Sequence, residues 1–164
     1  MAERVGNITK EGRRIIWTNF KGLPDDMNPQ GGKRTFNLVL TEDEAEVYAA
    51  DGWNVKKYYK KNSNGEIEDI TYYLPCRVRF DGARPPKVCM VTDKNITELD
   101  ENTIGTLDEV KIISCDVDIV PYYWNIKGKG TGITAYLRTM YATIEEVDVF
   151  SDKYENKLNS IAFE

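Results

Sequence analysis

The sequence predicts a mainly β fold, a small barrel or sandwich with long hairpin extensions and one or two short helices. Three observations predict it. About seven short segments rich in β-branched and aromatic residues, several of them alternating polar with apolar, recur along the chain. Turns rich in glycine, asparagine and proline separate them. Only one segment carries a complete set of helix start and stop signals. The 164 residues, 41 % of them hydrophobic, suit one domain with a sizeable core.

Residues 13–20 (Arg-Arg-Ile-Ile-Trp-Thr-Asn-Phe) are predicted as the first strand. Trp17 and Phe20 differ in strand parity, so one of the two belongs to the core. A loop follows to Arg34, with Gly22, Pro24, Pro29, Gly31 and Gly32. In the second strand, residues 35–40, the set Phe36, Leu38 and Leu40 faces the core. Thr41 and Glu44 form a capping box, acidic residues crowd the first turn, and Ala45, Tyr48 and Ala49 make an apolar stripe that ends at Gly52.

Residues 53–61 and 66–80 read as a long hairpin about the turn Asn62-Ser63-Asn64-Gly65. In its second arm Tyr72, Leu74, Cys76, Val78 and Phe80 share one face, and Tyr73, Arg77 and Arg79 share the other. Pro75 suggests an edge or a bulge. After Pro85-Pro86 comes a short strand, residues 87–91, and then a polar, acidic connection with a helical turn over 92–109. Residues 110–124 and 133–144 form a second hairpin about the glycine-rich turn 128–132. From Glu145 the chain turns acidic and is expected to form a short helix and a loose tail. The division expected is a domain over 1–150 and an acidic C-terminal tail over 151–164.

The chain contains no histidine, which removes Ser-His and Cys-His nucleophiles and the commonest zinc ligand. Cys76, Cys89 and Cys115 are widely spaced and read as buried thiols. Glu109-Val110-Lys111, with Pro24-Asp25 as a distant partner, has the shape of a metal-dependent nuclease motif; a solvated strand start explains it better. Asp116 and Asp118 share a strand face, and an acidic outer face is favoured over a divalent-ion site. Gly128-Lys129-Gly130-Thr131-Gly132 has the letters of a phosphate loop but sits between strands rather than before a helix. No enzyme, cofactor or metal is expected. The longest apolar run is too short to span a membrane, and Met1-Ala2-Glu3-Arg4 lacks a signal-peptide core, so the expected address is the cytoplasm.

The net charge is −5, but it is segregated. Counting Lys and Arg against Asp and Glu, residues 1–41, 52–94 and 121–138 carry +3, +4 and +3, while 42–51, 95–120 and 139–164 carry −5, −6 and −4. One face is therefore expected to be basic and the rest acidic. On the basic segments, cations interleave with aromatics, the combination that stacks bases and neutralises phosphates. The strongest cluster is Tyr122, Tyr123 and Trp124 followed by Lys127 and Lys129; three consecutive aromatics cannot all point inward from a strand. The others are Tyr73 with Arg77 and Arg79; Tyr136 with Arg138; Lys56 and Tyr58 in the first hairpin; and Trp17, Lys21, Lys33 and Arg34 around the first loop. Each has a plainer reading as core aromatic or solvated strand face.

The chain resembles a family of phage single-stranded DNA-binding proteins over roughly residues 12–155. The resemblance rests on an ordered set of phrases: Asn19-Phe20-Lys21-Gly22; Asn28-Pro29-Gln30-Gly31-Gly32-Lys33-Arg34-Thr35-Phe36; Asp51-Gly52-Trp53-Asn54-Val55-Lys56; Val117-Asp118-Ile119-Val120-Pro121-Tyr122; and Gly132-Ile133-Thr134-Ala135-Tyr136-Leu137 with Met140-Tyr141. It implies an OB-like core and sequence-tolerant binding of single strands in phage replication or recombination, inside the bacterial host. It assigns no contact residues. Homo-oligomers, and replication partners held by the tail, are compatible with it. The competing reading is a protein-interaction or virion component with no nucleic-acid role.

Overall fold

The computed structural model describes residues 5–26 and 28–145. Nine strands, one α-helix and one 3-10 helix follow in the order β1 (Ile8–Arg13), β2 (Ile15–Asn19), β3 (Arg34–Leu40), α1 (Glu42–Asp51), β4 (Lys56–Lys61), β5 (Ile67–Val78), β6 (Lys87–Val91), β7 (Ile96–Leu99), the 3-10 helix (Ile104–Asp108), β8 (Ile112–Ile126) and β9 (Gly130–Ile144).

The main sheet runs β1-β8-β9-β5-β3-β2. Only Arg14 separates β1 from β2, so one N-terminal run pairs with β8 through its first half and with β3 through its second. That shared run curls the sheet back on itself. All pairs along the path are antiparallel except β5 with β9. A meander, a hairpin and one parallel seam, curled through a shared first strand, make an OB-like barrel.

Alternation fills the barrel. Phe36, Leu38 and Leu40 of β3, Leu74, Cys76 and Val78 of β5, Cys115, Val117 and Ile119 of β8 and Ile133, Ala135 and Leu137 of β9 are buried, as the strand patterns require. A register shift at Asp118/Ile119 leaves Arg138 in a bulge, after which Met140 and Ala142 take over the inward positions. Phe20 is the core member of its pair and stacks on Phe36 at 5.8 Å, while Trp17 stays outside. All three cysteines are buried; desolvation pushes the Cys76 thiol up and the Cys115 thiol up to about 12, so both stay protonated.

The capping box of α1 forms in full, and Gly52 takes the left-handed conformation at φ 104° that ends the helix. Glu44 also accepts from Arg13, and Lys10 lies 3.0 Å away, which ties α1 to β1. The Arg13 guanidinium chiefly, against partial desolvation, holds the Glu44 carboxyl well below its usual range.

The fold differs from the sequence reading in three places. β1 and β7 are additional strands. The strand expected over 13–20 divides at Arg14. Pro75 fits the edge reading and not the bulge: the β3–β5 register does not shift there, and on its other side β5 is between partners, β4 ending at Lys56 opposite Tyr73 and β9 starting at Ala135 opposite Cys76. Ala49 is exposed rather than part of the buried stripe. The expected C-terminal helix and tail lie outside the described residues.

Candidate nucleic-acid interface

The outer face of the barrel gathers most of the aromatic and basic residues singled out above. β5 turns Leu74, Cys76 and Val78 inward and so turns Tyr73, Arg77 and Arg79 outward. Register then sets Tyr136 beside Arg77, Val120 opposite Tyr136 and Thr134 opposite Tyr122. Three neighbouring sites result.

The first is an aromatic cluster. Trp17, 51 % exposed, meets Tyr58 of β4 and Tyr73 of β5 edge-on, with centroids 5.2 and 5.0 Å apart. Lys56 stands opposite Tyr73 on the same face. Trp17 has φ 47°, the only positive value among the described non-glycine residues. A bulky side chain held there is strained, and such strain concentrates at functional sites.

The second is a groove of about 530 Å³ between β8, β9 and the segment that runs from the end of β5 to the start of β6. Arg79, Arg84, Lys87 and Arg138 line it with Tyr122 and Tyr136, and among the described residues its lining includes no carboxylate. Tyr122 and Tyr136 pack edge-on at 5.6 Å, and the Arg77 guanidinium lies 5.8 Å from the Tyr136 ring centre. Lys87 lies over the Tyr141 ring, and its interaction with that phenol raises its pKa, so the ammonium stays charged. Arg79 is held 2.7 Å from Asp81 at the rim.

The third is a slot of about 520 Å³ where β5 and β9 diverge. The β5–β9 ladder is two residues long, and the next link is the bridge between Trp53 and Ile133. Trp124, Pro75 and Arg77 line the slot, with the buried Trp53 among its lining. The Trp124 indole lies against Gly132, its cross-strand partner: a Cβ there would stand 2.4 Å from the ring. Trp124 is half-buried, while Tyr122 and Tyr123 are exposed.

The remaining sequence candidates divide. Lys33 lines a smaller groove with Arg77 and Arg79; Lys127 and Lys129 are exposed at the β8–β9 turn. Lys21 is paired with Glu109, and its backbone N–H and that of Phe20 donate to Asp108. Arg34 is half-buried, lies over the Phe80 ring at 5.6 Å and donates to the Glu101 carbonyl, so its contacts are those of an internal tie. Arg84 and Lys87 were not singled out from the sequence; the basic residues flanking Pro85-Pro86 were their only signal. The acidic candidates are engaged locally. Asp116 accepts from the Gly12 N–H, Asp118 from the Thr9 hydroxyl, and Glu109 from Lys21. Among the described residues, no group of three or more metal-ligating side chains converges, and no helix is long and apolar enough to cross a membrane.

An OB-like barrel whose outer face alternates rings with cations is the architecture of a single-strand nucleic-acid binder. The chain matches the model of the phage ssDNA-binding domain over residues 1–163 and belongs to that family. No curated protein matches it. Among solved structures it is similar to the C-terminally truncated single-stranded DNA-binding protein of bacteriophage Enc34, with 15 % identity, 87 % of each chain covered and a TM-score of 0.49. It is also similar to the Enc34 protein in complex with ssDNA (16 %, 88 % of this chain and 89 % of that one, 0.48). A third is gp2.5, the single-stranded DNA-binding protein of bacteriophage T7 (17 %, 92 % and 93 %, 0.37).

Proposed function

We propose that the protein coats single-stranded DNA without strong sequence preference, across the outer face, during phage replication or recombination in the host cytoplasm. Trp17, Tyr58, Tyr73, Tyr122, Trp124 and Tyr136 supply stacking surfaces; Arg77, Arg79, Arg84, Lys87 and Arg138 neutralise phosphates. The observation that carries this reading is the groove that holds four cations beside two tyrosines and, among the described residues, no carboxylate. The net charge of −5 does not oppose it, because the acids concentrate on other segments, α1 among them. The strand is bound and not turned over: labelled oligothymidine should survive incubation with magnesium or manganese intact.

The test is a fluorescence titration with oligothymidine and with a blunt duplex at two salt concentrations. Tighter binding of the single strand, weakening as salt rises, is expected. Equal affinity for the duplex would remove the single-strand claim, and no binding at low salt would remove the function.

A further inference from the structure

The β4–β5 hairpin carries an arm that the nucleic-acid interface only half uses. All six residues of β4 are exposed, as are the first four of β5. Register gives this arm two faces. Lys56, Tyr58 and Lys60 stand opposite Tyr73, Thr71 and Asp69 and continue the outer face. Lys57 and Tyr59 stand opposite Tyr72 and Ile70, and a register shift that skips Glu68 brings Ile67 opposite Lys61; these continue the underside, where Tyr72 packs against the core. On that underside Tyr59 is 46 % exposed, Ile70 37 % and Ile67 57 %. Of the three exposed apolar side chains here only Tyr59 offers a base a π-face, and Lys57 lies 5.6 Å from the centre of the partly buried Tyr72 ring, so the strip is more aliphatic than the outer face.

Helix α1 is the electrostatic complement. Glu42, Asp43, Glu46 and Asp51 are exposed, and the helix contains no basic residue. Asp43, Glu46, Val47 and Ala50 fall on one helical face, and Val47 is 58 % exposed. No ion pair among the described residues reaches these four acids or the four lysines of β4. Among the described residues, one surface is thus an apolar strip flanked by lysines without an ion-pair partner, Lys57 lying over the Tyr72 ring; the other is an apolar point flanked by acids without one.

We propose that the underside of the β4–β5 arm docks on the α1 face of a second copy of the chain bound next to it on the same strand. The contact is heterologous. It leaves an arm free at one end and a helix free at the other, so it extends along the DNA instead of closing into a dimer. The inference rests on the single-strand-binding reading, because the shared strand supplies the high effective concentration that makes a small contact count.

The experiment compares an oligothymidine that holds one protein with one that holds several. The wild-type protein should bind the long strand cooperatively. Glu46→Lys, on the exposed helix face, should leave short-strand affinity and the melting temperature unchanged and lower the cooperativity about tenfold or more, the scale on which linked sites gain. Ile70→Thr should do the same from the other side. Combining Glu46→Lys with Lys61→Glu should restore cooperativity by exchanging the charges. Non-cooperative wild-type binding, or full cooperativity in both single variants, would overturn the docking. Failure of the wild type to bind the short strand would instead overturn the binding reading, and the docking with it.

Discussion

Trp17 is where backbone strain and the proposed stacking surface meet, so its replacement separates the two. The ring is half outside the protein and touches Tyr58 and Tyr73 edge-on. Its backbone stands at φ 47°. Trp17→Ala removes two edge contacts, each about 0.5–1.5 kcal/mol beyond burial, and keeps a Cβ in a conformation that costs about 1–2 kcal/mol. Trp17→Gly removes the same contacts and the Cβ, against a glycine backbone-entropy cost of about 0.5–1 kcal/mol. The glycine variant should therefore be the more stable of the two by about 0.5–1 kcal/mol, the reverse of the usual order. Both should lose about 1–3 kcal/mol of oligothymidine affinity, or about 5- to 150-fold. Urea unfolding measures the first quantity and fluorescence anisotropy the second. A folded Trp17→Ala protein that binds like wild type would refute the stacking role, and an alanine variant more stable than the glycine one would refute the strain argument.

Three further outcomes follow from the geometry. Arg84→Ala and Arg138→Ala should each lower the slope of log affinity against log salt by about 0.7, the contribution of one single-strand phosphate contact; Arg34→Ala should leave that slope alone and lower the melting temperature, because its contacts are with Phe80 and Glu101. Gly132→Ala should displace the Trp124 indole, costing about 1–3 kcal/mol of stability as overpacking does and shifting tryptophan emission. Glu44→Gln should cost about 1 kcal/mol at pH 7. The folded carboxyl titrates below its unfolded value, so this stabilisation is present above about pH 4.3 and is lost as pH falls toward the folded value. Urea melts of the two proteins should therefore differ at pH 7 and converge in strong acid.

The two hairpins and the helix were legible because local signals agreed: alternation on both arms, glycine turns, and a capping box answered by Gly52. β1 and β7 were not, because each buries one residue, Ile8 and Leu99, too few for a period to show. Parity alone set Tyr73, Arg77 and Arg79 on a shared outer face. It could not bring Arg84 and Lys87 to the same groove. Lys87 arrives there through the parallel pairing of β6 with β9, opposite Thr139 and 52 positions distant in numbering. The same blindness hid the partners of Lys21 and Arg34, since Glu109, Phe80 and Glu101 lie far along the chain.

Photo-crosslinking of the full chain to oligothymidine carrying 5-iododeoxyuridine, with the attached residues read by mass spectrometry, tests the interface most directly. Adducts at Trp17, Tyr58, Tyr73, Tyr122 and Tyr136 are predicted, with none on α1 or β7. Adducts confined to α1, β7 or the 3-10 helix, with the outer-face aromatics unmodified, would contradict the assignment of the binding face.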